Sequence, residues 1–122
     1  MNPSEGFLCW NEGHYQHALV DLWEITAKRE WLEKLIPRVR EVWSLTGTAR
    51  SVKDSMWHKA LPAWYNDTES GTVCTLVSGA ILWPISRLIR TVMTTPVLRD
   101  LKPAVAPWID LSRTVLDLND GE

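Results

Sequence analysis

The stretch AILWPISRLIRTV, residues 80–92, decides how this chain folds. It lies at the end of a run, 70–86, that contains no charged residue. A membrane-crossing helix needs about 20 apolar residues, and this run is shorter. It is also interrupted by Ser70, Thr72, Thr75, Ser78, Gly79, Pro84 and Ser86. The β-branched start, TVCTLV, is compatible with a strand. The spacing of Leu82, Ile85, Leu88, Ile89 and Val92 favours a helix, with Gly79 and Ala80 permitting close packing. The stretch therefore reads as the central, buried helix of a bundle, kinked at Pro84. Its second half differs from the first, because Arg87 and Arg90 are spaced to share one helix edge.

The flanking sequence is helical in pattern too. From Gly13, Tyr15, Ala18, Leu19, Leu22 and Trp23 gather on one side of a 3.6-residue period, and His14, His17, Asp21, Glu24 and Lys28 on the other. A second set, Trp31, Leu32, Leu35, Ile36, Val39, Val42 and Trp43, is out of phase with the first by about a quarter turn. The chain either bends near residues 28–31 or meets different neighbours along one long helix. Pro37 falls on the polar side of the second pattern. Residues 46–50, TGTAR, read as a turn. Ser51 and Asp54 resemble a capping box for a helix burying Val52, Met56, Trp57, Ala60 and Trp64, stopped by Pro62. Residues 65–71 form the main loop and residues 1–12 an irregular start. Pro107 suits the first turn of a last helix, with Trp108, Leu111, Val115 and Leu118 on its apolar face. The expectation is all-α: a compact helical bundle of about five helices, some proline-kinked, in one domain spanning residues 1–122.

Composition bounds the function. With 45% hydrophobic and 23% charged residues, the chain is globular rather than disordered. A net charge of −2 argues against a free-standing DNA binder. The start lacks an apolar secretory leader, so a reducing cytoplasm with Cys9 and Cys74 as free thiols is expected, and the sequon at Asn66 is chemically idle. Eight tryptophans stand against one phenylalanine. They either fill a small core or, in part, anchor a protein interface, where Trp is enriched.

Near-neutrality hides an uneven distribution. Residues 1–27 carry Glu5, Glu12, Asp21 and Glu24 with no Lys or Arg, and residues 103–122 are acidic again. Residues 28–102 hold 12 basic residues against seven acidic ones. Basic patches of this kind contact phosphates without reading sequence. The candidate nucleic-acid contacts are Lys34, Arg38, Arg50, Lys53, Arg87, Arg90, Arg99 and Lys102. A solvated face with surface ion pairs would look the same.

A metal site is the rival chemistry. His14, His17, Asp21 and Glu24 follow i, i+3, i+7 and i+10, and all are ligand types. The same four are also the polar side of an amphipathic helix, and one helix rarely completes a site. No nucleotide-binding, nucleophile-elbow or paired-cysteine motif occurs. No catalytic residue, cofactor or metal is assigned.

A short all-α chain with this basic flank resembles the small-subunit family of CRISPR effector complexes. The resemblance is architectural, carried by the eight basic residues above and by no motif. It implies a non-catalytic subunit that packs on other protein subunits or on copies of itself, and contacts RNA or single-stranded DNA within the complex, in the cytoplasm and away from membranes. Net acidity departs from that pattern, and would suit acidic ends meeting the basic centre of the next copy. Two other readings stand beside it: a phage- or plasmid-encoded inhibitor or immunity protein, and a small metal-dependent enzyme using the His14/His17 face.

Overall fold

The computed structural model describes residues 1–65 and 75–120. Cys74, the sequon and most of the expected 65–71 loop lie outside the described residues. The chain is an all-α bundle. Its helical segments, among the described residues, are α1 (Glu5–Phe7) running through a π-turn (Leu8–Glu12) into α2 (Gly13–Thr26), then α3 (Glu30–Trp43), the single turn α4 (Gly47–Arg50), α5 (Thr75–Thr94), and a 3₁₀ segment (Pro96–Leu101) leading into α6 (Lys102–Asp120). α2 packs on both α3 and α5, and α5 packs on α6. No helix among the described residues is long and apolar enough to cross a membrane.

The central stretch behaves as its pattern demands. In α5, Ile81, Leu82, Ile85, Leu88 and Val92 are buried, and Pro84 lies inside the helix. α3 follows its pattern equally well: Leu32, Leu35, Ile36, Val39, Val42 and Trp43 are buried, and Pro37 sits on the exposed side. The phase shift between α2 and α3 is a true break. Ala27 caps α2 in the left-handed region at φ 54°, donating its amide to the Trp23 carbonyl at 2.7 Å.

Four expectations are corrected. Residues 1–12 are not irregular. Ser4 caps a helix that starts at Glu5 and widens into the π-turn, closed by the Gly13 amide on the Leu8 carbonyl. A Cβ on Gly13 would stand 3.1 Å from that carbonyl, so glycine suits the close approach. Secondly, the buried side of α2 is Gln16, Leu19 and Val20, continuing from Leu8 and Glu12, while Tyr15 and Ala18 are exposed. Thirdly, α6 begins at Lys102 rather than near Pro107. Pro103 occupies its first turn, Pro107 lies within it, and Leu111 faces out while Val105, Trp108 and Val115 are buried.

Fourthly, no helix covers residues 51–64. Asp54 is the cause: buried at 1% exposure, its carboxylate accepts from the amides of Met56 at 2.8 Å and Trp57 at 2.6 Å. Such local bonds offer the backbone an alternative to a helix. His58 then takes φ 59°, and Lys53 and Ala60 pair as an isolated antiparallel bridge. Met56 and Trp57 are left exposed. The returning strand of this loop is stitched to the bundle. Trp64 Nε1 donates to the Val42 carbonyl at 2.8 Å, satisfying a carbonyl at the end of α3. The Tyr65 hydroxyl accepts from the Leu61 amide at 2.9 Å and donates to the Val52 carbonyl at 2.6 Å. Its ring covers Gly47, where a Cβ would fall 1.9 Å from the hydroxyl oxygen, so only glycine fits.

Between α2 and α3 lies a buried charge. Glu12, 2% exposed, accepts from Arg38 Nε at 2.8 Å and Nη2 at 2.5 Å, and from Gln16 Nε2 at 3.1 Å. The guanidinium also stacks over the Tyr15 ring, 4.2 Å from its centroid. The hydrogen bond to Glu12 holds Arg38 above its ordinary pKa.

Two stability predictions follow from these contacts. Tyr65→Phe should lower unfolding free energy by about 1–3 kcal/mol, because it orphans the Leu61 amide and the Val52 carbonyl. Arg38→Ala should cost about 2–3 kcal/mol, less than the full penalty of orphaning a buried ion because water reaches the Arg38 side. Urea denaturation with an unchanged slope is the check for both.

Candidate functional site: the seam between helices α2 and α5

α2 and α5 pack side by side, and their outward edges form a continuous seam. α5 contributes Ala80, Trp83, Arg87, Arg90, Thr91 and Thr94, and the N-terminal helical run contributes Trp10, His14, His17, Asp21 and Glu24. At 1.5 Å of rise per residue, Trp83 and Arg90 stand about 10 Å apart along α5. The seam has three zones.

The middle is an ionic knot. Arg87 donates to Asp21 at 2.7 Å, to Glu24 at 3.2 Å, and through Nη1 approaches His17 Nδ1 at 2.9 Å. Burial alone would lower the Arg87 guanidinium, but the hydrogen bonds to Asp21 and Glu24 outweigh it and hold it above its ordinary value. A guanidinium only donates, so His17 Nδ1 is the acceptor and the ring is neutral with its proton on Nε2. Burial, then the Arg87 charge, pushes the His17 pKa down. Asp21 opposes them, and His14 adds a smaller lowering effect.

This knot joins two features that the sequence presents separately. The stripe His17, Asp21 and Glu24 does bind a cation, and that cation is Arg87 of the same chain. His14 stands apart, stacked on Trp10 with centroids 6.1 Å apart. Among the described residues, no group of three or more His, Cys, Asp or Glu side chains is placed to hold a metal ion.

One end of the seam is aromatic. Cys9, Trp10, His14, His17, Ala80 and Trp83 line an open apolar hollow of about 260 Å³. Trp10 is 68% exposed and Trp83 65% exposed. Trp83 meets the edge of His17 at 5.0 Å, which ties the aromatic end to the knot. Burial, with Glu5 adding to it, pushes the Cys9 thiol up, away from the reactive thiolate. The other end is polar. Trp23, Glu24, Arg87, Arg90, Thr91, Thr94 and Thr95 line a hollow of about 270 Å³. Arg90 is exposed there and makes no ion pair among the described residues.

The eight basic candidates do not act as one set. Arg38 and Arg87 are each held by acids of α2 or the turn before it. Arg50 is half-buried and donates through Nε to the Leu45 carbonyl at 3.1 Å. Lys34 extends over the Trp31 ring at 5.2 Å. Lys53 lies on the 51–64 loop, and Arg99 and Lys102 lie where the 3₁₀ segment meets α6. Of the eight, Arg87 and Arg90 line the same hollow. Trp10 and Trp83 were missed as site residues. The signal was the surplus of tryptophan over phenylalanine, but composition does not say which indoles remain outside the core.

Because His17 is held neutral, it stabilises the fold only while unprotonated. Its folded pKa lies below the unfolded value of about 6.5, so this contribution is fully present above about 6.5 and is lost as pH falls from there through the lower, folded pKa. An NMR titration should find His17 below 6.5, and Arg87→Ala should move it upward, burial keeping it from full recovery. A wild-type midpoint at or above 6.5 would contradict the acceptor role.

No protein-family model, characterised protein or solved structure matches this chain.

Proposed function

We propose that this chain is a non-catalytic assembly subunit that docks a partner protein through the α2–α5 seam, with Trp10 and Trp83 as its anchors. The observation that carries this reading is the exposure of two indoles on firm helical elements around one apolar hollow. Trp is over-represented among the residues that dominate binding energy. The hollow is smaller than the about 300–1,000 Å³ of small-molecule sites, which suits an inserted side chain better than a substrate. The Arg87 knot lies beside the hollow, joined to it through the contact of His17 with Trp83.

A narrower version adds contact with a nucleic-acid backbone, RNA or single-stranded DNA, inside a cytoplasmic complex. Its support is the Arg90 hollow, where a free guanidinium, threonine hydroxyls and the Trp23 ring adjoin. Aromatic and cationic groups together are the usual means of holding a single strand. Glu24 in the same hollow and the internal pairing of Arg87 weigh against it. The likeness to small subunits of CRISPR effector complexes belongs to this version. An inhibitor or immunity protein would use the aromatic end alone.

The test is purification of the tagged full chain from its source cells, with and without nuclease, beside a Trp10→Ser/Trp83→Ser variant. We expect a stoichiometric protein partner that the variant loses, each anchor contributing about 2 kcal/mol, or roughly thirtyfold in affinity. Far-UV circular dichroism of the variant checks that the fold is intact. A partner that ignores the tryptophans but is released by nuclease, and by Arg90→Glu, would replace this reading with the nucleic-acid one. A chain that purifies alone would overturn both.

A further inference from the structure

On the other flank of α5, a second groove runs between α5 and α6. Ser86, Ile89, Arg90, Ile109, Ser112, Arg113 and Leu116 line it, enclosing about 240 Å³. Its floor is apolar: Ile89 and Ile109 are half-buried, and Leu116 remains 50% exposed. Two arginines flank it. Arg90 makes no ion pair among the described residues. Arg113 has an exposed contact with Asp110 at 3.3 Å, both side chains being largely in solvent, and such pairs contribute little.

The second observation is Ser112. Its Oγ is shielded from water and has no hydrogen-bond partner. Three helical threonines bond back to the carbonyl four residues earlier: Thr26 at 2.6 Å, Thr94 at 2.7 Å, and Thr114, two residues along on α6, at 2.9 Å, whereas the buried Ser78 hydroxyl of α5 lacks a partner as Ser112 does. A shielded hydroxyl without a partner is costly. Ser112 lines the groove, so rotation about its Cα–Cβ bond is what would present the hydroxyl to an incoming polar group.

We infer that the α5–α6 groove binds an acidic amphipathic peptide segment of a partner protein. The segment's apolar side chains lie on Ile89, Ile109 and Leu116, its carboxylates meet Arg90 and Arg113, and one of its polar groups reaches Ser112. Charge complementarity selects the acidic partner. The apolar floor selects peptide over nucleic acid, because a phosphate backbone has no use for two isoleucines and a leucine. The geometry is that of a helix laid in a groove, read through anchors at i, i+3 or i+4, and i+7. This groove shares Arg90 with the polar end of the α2–α5 seam but contains neither Trp10 nor Trp83, so Arg113 and the two tryptophans are what distinguish the surfaces.

The experiment is an amide NMR titration of the full chain with a synthetic helical peptide of about three turns, bearing a leucine stripe flanked by glutamates. The same peptide with lysines for glutamates, and oligothymidylate, are the comparisons. The glutamate peptide is expected to shift Ile109, Ser112 and Arg113, and to bind about tenfold more tightly than the lysine peptide at low salt. Arg90→Glu with Arg113→Glu should reverse that preference, while Trp10→Ser/Trp83→Ser should leave it unchanged. Equal binding of both peptides, shifts confined to the α2–α5 seam, or a response to oligothymidylate without one to peptide would each overturn the inference.

Discussion

The bundle is organised by two arginines that reach α2 and the turn before it from opposite neighbours. Arg38 comes from α3 and closes on Glu12. Arg87 comes from α5 and closes on Asp21 and Glu24, with His17 beside them. The two contacts differ physically. Glu12 is almost wholly removed from water, and an ionised carboxylate in that position is tolerable only because a bidentate guanidinium and Gln16 surround it. Asp21 and Glu24 are more than half exposed, so their pairing with Arg87 adds little energy by itself. With Glu12 bound by Arg38 and with Leu19 and Val20 in the core, one rotation of α2 about its axis is favoured, and that rotation determines which side chains face the core and which reach solvent.

The candidate surface follows from this rotation. With Gln16, Leu19 and Val20 turned inward, His14 and His17 turn toward α5 and support Trp10 and Trp83. The same ion pairs remove Arg38 and Arg87 from the pool of cations available to a phosphate backbone. A third arginine is committed likewise: Arg29 forms a forked contact with Asp100 and a 3.2 Å contact with Glu33, joining the start of α3 to the 3₁₀ segment. Three arginines of the basic centre are thus wired between elements, while Arg90 lines the same seam as the exposed indoles and makes no ion pair among the described residues.

Tryptophan occurs both in the core and at the surface of this molecule. Trp43 and Trp64 pack in the core with centroids 5.0 Å apart, and Trp64 uses its N–H to finish the end of α3. Trp108 is buried in α6. A small bundle has few layers, and large flat rings fill the space between helices with few residues. Trp10, Trp57 and Trp83 are exposed by contrast, and two of them share one hollow. Scattered apolar residues at a surface need no explanation, but two indoles around one cavity form a patch that does.

The sequence by itself determined the helical class, the whole buried face of α3 and most of that of α5. These helices are strongly amphipathic or largely apolar, and their buried positions are filled by aliphatic side chains that a 3.6-residue period reveals. It could not determine the rotation of α2, because the buried side of that helical run includes Glu12 and Gln16. Polar residues become buriable only when a partner 26 positions away supplies the hydrogen bonds. Nor could it show that residues 51–64 refuse a helix, since the segment is held by bonds distant in sequence: the Gly47 and Thr48 amides on the Ala63 and Leu61 carbonyls, and Trp64 on the Val42 carbonyl. The candidate site was half legible. His17, Asp21, Glu24 and Arg87 were all visible as groups with chemistry, but on two segments more than 60 residues apart in sequence. Only tertiary packing decided that they are partners of one another. The same packing left Trp10 and Trp83 exposed and Arg90 without an ion pair among the described residues, because pairing is a property of distance in space and a linear charge pattern carries no such distance.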